Sequence, residues 1–117
     1  MKGENCVFCK IVNREIKSEI IENYDNFIVI KDLNPVSEGH CLIISKKHYE
    51  NVFHMPDILG TELIEIVKEQ GLRLIKEKKA EGIKLVQNNG GAAGQVVMHY
   101  HLHVIPEKES VKREKFV

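Results

Sequence analysis

Hydrophobic residues along this chain recur with two periods. The clearest period-two run is Met98-His99-Tyr100-His101-Leu102-His103-Val104-Ile105. In a β-strand successive side chains point to opposite faces. His99, His101 and His103 would therefore share one face, roughly 6–7 Å between next neighbours, and Tyr100, Leu102 and Val104 would pack on the other. Pro106 is expected to end this strand, since it cannot donate to a ladder. Four further strands are predicted. Glu19–Glu22 and Phe27–Ile30 flank a turn at Asn23-Tyr24-Asp25-Asn26. His40–Ser45 is almost wholly apolar and reads as a central strand, and Ile83–Gln87 supplies another. Between them the period changes. Leu59, Leu63, Ile66, Val67 and Leu74 recur at helical spacing with Glu62, Glu65, Lys68 and Glu69 interspersed. They predict one long helix over 57–79, with Pro56 and Asp57 suited to its start. Gly60 and Gly71 would each weaken it by about 1 kcal/mol relative to Ala, and Gly71 is expected to mark close packing on the sheet. Phe8, Ile11 and Val12 predict a short N-terminal helix of one or two turns ending near Asn13-Arg14. The sum is an α+β domain: an antiparallel sheet of about five strands, one long helix and one short one.

Composition narrows the function. The chain has 117 residues, enough for one domain spanning 1–117. Its stretch 107–117 is densely charged in both signs and is expected to be a solvated tail. Lys+Arg and Asp+Glu both number 17. No global basic field recruits nucleic acid or a membrane surface. No run reaches the ~18 apolar residues of a membrane span, and the start MKGENCVFCK lacks a secretory hydrophobic region. A cytoplasmic location with reduced thiols is expected. Three cysteines suit a disulfide framework poorly.

Three features carry chemistry. Cys6-Val7-Phe8-Cys9 is a CxxC without room for the preceding strand that a thioredoxin-like motif needs. It offers two thiolates to a structural zinc, which wants four tetrahedral ligands. His40, His48, His54 and the three clustered histidines could complete the site, and spacing does not choose among them. The loop Asn88–Gly94 is rich in small residues whose backbone N–H groups can approach an anion. No Gly-Lys-Ser/Thr follows it, so it is not a P-loop. No serine sits in a nucleophile-like context, and Cys41 lies inside an apolar strand. Histidine itself can attack phosphorus and form a phosphoramidate, and His101, flanked by imidazoles on its own face, suits that role.

These residues carry a resemblance. His99-Tyr100-His101-Leu102-His103-Val104-Ile105 resembles the signature of the histidine triad (HIT) family. Cys6–Val12, Asp32-Leu33-Asn34-Pro35, Gly39-His40, Lys46-Lys47-His48, Asn88 and Gly94-Gln95 fall in the order and spacing typical of its Hint-like branch, nearly the whole chain up to Pro106. The resemblance implies a hydrolase acting at the α-phosphorus of a nucleotide, with His101 forming a nucleotidyl-histidine intermediate. His103 would contact the phosphate and support proton transfer to the leaving group, with His40 in the same network. Asn88, Gly94 and Gln95 would hold the phosphate, Asp32 the ribose, and Phe8, Ile11, Ile30 and Leu33 an apolar base slot. A structural zinc would be held by Cys6, Cys9, His48 and His99. The family domain forms homodimers that join two antiparallel sheets. The implied substrates are purine nucleoside 5′-phosphoramidates. Dinucleoside polyphosphates or adenylyl adducts are alternatives, as is a nucleotide-binding regulatory protein with vestigial activity. The chain departs from the pattern at Val96, where Hint-like proteins often carry Ser, and at Glu107-Lys108-Glu109, where many carry a glycine-rich exit.

Overall fold

A computed structural model describes residues 5–109. The order of elements is α1 (Val7–Val12), β1 (Ile20–Asn23), β2 (Phe27–Lys31), β3 (Cys41–Ser45), α2 (Gly60–Lys78), β4 (Gly82–Val86) and β5 (His101–Glu107). The strands form one sheet in the order β1-β2-β3-β5-β4. Every neighbour pairs antiparallel. The fold class and the five strands are those expected.

Both faces of the central strands are covered, which explains why β2 and β3 are apolar without alternation. Phe27, Val29, Cys41, Ile43, Leu102 and Val104 pack with Ile66 and Leu74 of α2. Ile28, Ile30, Leu42 and Ile44 form a second core with Phe8 and Ile11 of α1. The histidines stand on this second face, because His101 pairs with Ile44 and His103 with Leu42.

Three expectations shift in detail. The first turn of the predicted long helix, Asp57–Leu59, is a 3₁₀ turn, and α2 runs on to a left-handed Lys79 (φ 61°) whose N–H donates to Leu74. Gly60 is then the first residue of α2 rather than interior, and no cost need be assigned to it. Gly71 is close to the sheet as expected: a Cβ there would lie 3.6 Å from Ile83 Cγ1. The third concerns β5. It begins at His101, so His99 lies outside the strand, and it continues through Pro106 to Glu107. Pairing with β3 stops at Val104, whereas pairing with β4 reaches Glu107. The Pro106 carbonyl accepts from Ser37 Oγ at 2.6 Å, beyond the end of β3. In an extended strand a residue's N and C=O point to the same side, so the missing N–H costs no bond to β4. Of the charged stretch 107–117, residues 110–117 lie outside those described.

Candidate active site and metal cluster

The alternating histidines divide between two sites. His99 sits fully buried one step before β5, and its Nε2 donates to the Ser45 carbonyl at 2.7 Å. That bond leaves a lone pair on Nδ1, which faces Cys6 Sγ at 3.2 Å and Cys9 Sγ at 3.4 Å. His48 Nδ1 lies 3.3 Å from Cys9 Sγ. The four ligand atoms are all within 4.8 Å of one another. Burial pushes the His99 imidazole down to about 4. Burial, with Cys6 beside it, pushes the Cys9 thiol up to about 11. Two buried thiols facing two imidazole nitrogens form a Cys₂His₂ donor set that fits a tetrahedral divalent cation of zinc type. His54, one of the alternatives left by spacing, instead lies 3.3 Å from Asn51 Oδ1.

The Cys₂His₂ cluster also builds the wall of the neighbouring cavity. Six residues are too few for a helix to hold itself in water. Cys6 Sγ caps α1 by accepting from Cys9 N at 3.4 Å, and Phe8 and Ile11 are buried. The Phe8 ring meets His99 edge-on at 5.8 Å and His101 at 5.0 Å. The cavity it bounds has a volume of about 560 Å³, and Phe8, Ile11, Ile30, Asp32, Leu33, Asn88, Gly94, Gln95, His101 and His103 all line it.

At its histidine end the hydrogen bonds fix the tautomers. His101 Nδ1 donates to the His99 carbonyl at 2.7 Å, leaving Nε2 as a free lone pair. His40 Nδ1 accepts from Val36 N at 3.0 Å, so the neutral ring carries its proton on Nε2. That nitrogen lies 2.9 Å from His103 Nδ1 and 3.3 Å from Asp32 Oδ2. His103 Nδ1 is then an acceptor, and its proton sits on Nε2. Burial lowers the His40 pKa, against the pull of Asp32. Burial lowers that of His103 too, with His101 and His40 adding to the effect. Asp32, His40 and His103 resemble a second metal set by proximity. The Val36 N–H excludes it, because it forces a proton onto the His40 nitrogen that a metal would need. Gly39 sets up this geometry with φ of 101°, where a Cβ would meet Leu74 Cδ2 at 3.0 Å.

The small-residue loop departs from its expected use at one position. Gln95 is buried and its side chain is committed inward. Its Oε1 accepts from Gly90 N at 2.7 Å, and its Nε2 donates to the carbonyls of Glu50 and Val97. The amide braces the loop and has no donor left over for a phosphate. Asn88 Nδ2 reaches only to the Gly94 carbonyl at 3.5 Å and is exposed. Sequence reasoning missed other lining residues, among them Ile16 and Ser18. Their signal was the alternation Ile16, Ser18, Ile20 leading into β1.

Comparison with known proteins adds a family. The family model for the HIT domain matches residues 13–110. Adenylylsulfatase HINT3 of Arabidopsis thaliana is 38% identical over 105 residues, 90% of this chain and 53% of that protein. Adenosine 5′-monophosphoramidase HNT1 of Candida albicans is 37% identical over 110 residues, 90% of this chain and 72% of that protein. Among solved structures, the hypothetical histidine triad nucleotide-binding protein ST2152 of Sulfolobus tokodaii superposes with a TM-score of 0.85 at 39% identity, covering 96% of this chain and 75% of the other.

Proposed function

The chain belongs to the HIT-domain family, and from that premise we propose that it is a hydrolase of purine nucleoside 5′-phosphoramidates, releasing a nucleoside 5′-monophosphate and an amine. The observation that carries the reading is the His101 tautomer. A carbonyl holds the proton on Nδ1 and leaves Nε2 as a nucleophilic lone pair at the cavity wall.

His101 Nε2 forms a bond to the α-phosphorus as the phosphorus–nitrogen bond breaks. The leaving nitrogen takes a proton from solvent and departs as a neutral amine with the electron pair of that bond. The histidine becomes a cationic nucleotidyl-imidazole, and the His99 carbonyl on Nδ1–H stabilises its charge. Water then attacks phosphorus, restores neutral His101 and gives up its extra proton to solvent. His103, with its proton on Nε2, donates a hydrogen bond to the phosphoryl group. Its Nδ1 is occupied by the His40 proton, so His103 acts as a neutral donor rather than a strong acid. Asp32 accepts from the ribose hydroxyls, and the base lies against Phe8, Ile11, Ile30 and Leu33. Asn88 and the backbone near Gly94 face the phosphate.

Zinc, held by Cys6, Cys9, His48 and His99, would supply structural cross-linking only. Cytoplasmic residence accords with these thiols, all free among the described residues. No helix among the described residues is long and apolar enough to cross a membrane. A homodimer accords with the edge strand β4 and the exposed Leu72, Ile75 and Leu85 beside it.

The phosphate end of the cavity favours a neutral leaving group over sulfate or a polyphosphate. The loop Asn88–Val97 contains no Lys or Arg, and the lysines lining the cavity come from other segments, Lys17 before β1 and Lys31 at the end of β2. The test is release of AMP from an aminoalkyl adenosine phosphoramidate, with His101→Gly as control. Release that vanishes in the control is expected. AMP binding without release from any amine adduct would move the function to another leaving group or to a binding protein.

A further inference from the structure

The nucleotide cavity runs across the sheet, and its two ends differ in chemistry. His101 and His103 of β5 stand at one end. Cross-strand pairing links His103 to Leu42 of β3, Leu42 to Ile30 of β2 and Ile30 to Ile20 of β1. The cavity follows this row, since His103, Leu42 and Ile30 line it together with Ile16, Lys17 and Ser18, which lead into β1. Three strand spacings separate β5 from β1, about 14 Å. A nucleoside monophosphate with its phosphorus at His101 fills that span and brings the outer edge of its base to the segment before β1.

The other wall gives the same order. Phe8 of α1 meets His101, and Ile11 follows one helical turn later. Arg14 then takes a left-handed turn with φ of 65°. The N–H groups of Glu15 and Ile16 both donate to the Lys10 carbonyl, at 2.8 and 3.3 Å, which folds the next residues back against the C-terminal end of α1. Lys17 and Ser18 thus bound the base slot at the end away from the histidines. Two lysines line the cavity, and they are not equivalent. Lys31 Nζ lies 3.7 Å from Glu19 Oε1, whereas Lys17 is exposed and pairs with no carboxylate among the described residues. The ammonium of Lys17 offers three donors and no acceptor.

We propose that Lys17 is a specificity residue that makes the slot select guanine over adenine. Guanine carries a carbonyl oxygen at position 6 beside its N7 acceptor, whereas adenine carries an amino donor at position 6. The Lys17 ammonium donates to the first and opposes the second. The Ser18 hydroxyl donates or accepts and so does not discriminate. The apolar walls at Phe8, Ile11, Ile30 and Leu33 hold either purine equally, which leaves the choice to the cation at the rim. The inference rests on the phosphoramidase reading above and names the base for that same site.

The test reads binding of GMP, IMP and AMP to the full chain by calorimetry. Turnover is read as kcat/KM for guanosine and adenosine phosphoramidates of one and the same amine. IMP has the carbonyl of guanine without its exocyclic amine, so it isolates position 6. GMP and IMP are expected to bind about tenfold tighter than AMP, with the same ratio in kcat/KM. Lys17→Met is expected to reduce the ratio to about twofold, and Lys17→Arg to restore most of it. Equal binding of the three nucleotides, or a ratio untouched by Lys17→Met, overturns the proposal. IMP binding as weakly as AMP would overturn it too, because selection would then rest on the guanine amine. Lysine-dependent selection in binding, with turnover of neither phosphoramidate, would uphold the base choice and overturn the phosphoramidase reading.

Discussion

Gln95→Met separates a loop brace from a phosphate ligand. Methionine keeps the length and shape of the side chain and removes its amide. The loss falls on Gly90 N, at 2.7 Å, and on the carbonyls of Glu50 and Val97. A fourth contact, to Asn51 Nδ2 at 3.5 Å, is at the limit of a hydrogen bond and adds little. Gln95 is only 6% exposed, so water replaces the lost partners poorly. At about 1 kcal/mol for each of the three bonds, the nucleotide-free protein should lose about 3 kcal/mol. For a domain of this size that is a fall in Tm of roughly 12 °C. The assay is urea and thermal unfolding without nucleotide, followed by AMP binding at a temperature where the variant stays folded. The brace reading expects the stability loss and only a modest fall in affinity, caused by loosening of residues 90–94. Unchanged unfolding with AMP binding abolished would refute it and return Gln95 to the phosphate.

Other outcomes follow from the same geometry. Cys9→Ser should lower bound zinc, measured by atomic emission, from one ion per chain to well below that, and should weaken nucleotide binding because α1 carries Phe8 and Ile11; full retention of zinc would show that the four residues are not its ligands. Asp32→Asn removes the carboxylate that raises both His40 and His103. Both groups then protonate at lower pH still, and since the neutral forms are the working ones, the acid limb of kcat/KM should move to lower pH. A shift to higher pH would contradict the assigned tautomers. Both histidines already sit below 6.5 in the folded protein, so the unfolded chain binds more protons as pH falls through that value, and stability should decline there. Leu72→Lys, on the exposed face beside β4, should convert a dimer to monomers in sedimentation equilibrium; an unaltered dimer would locate the interface elsewhere.

Much of this was legible in the chain. The alternation around His101, the apolar runs of β2 and β3 and the helical period of α2 all reflect burial, and burial writes itself in residue type. His99 was misassigned to the strand because its alternation is real while its backbone is not extended with the rest. A carbonyl contact from Ser45, remote in sequence, decides where its ring goes. Pro106 looks like a terminus because proline forbids a donor, and only the stagger of β3 and β4 along β5 reveals that no donor is wanted there. The junction of Asp32, His40 and His103 depends on strand register, and the role of Gln95 on a loop closing over it. Neither leaves a periodic trace.

One residue belongs to both sites at once. The His99 ring faces the thiols while its carbonyl holds the proton of His101. The two centres are therefore joined through a single peptide group, with no soft intermediary between them. Nothing can be inserted between residues 99 and 101 without uncoupling the nucleophile from its anchor. A graft of His101 onto another scaffold would have to bring the Cys₂His₂ cluster with it. A chain without the two cysteines would have to immobilise that one carbonyl by another route, and the position that follows β3, where His48 stands, is the place for such a substitute.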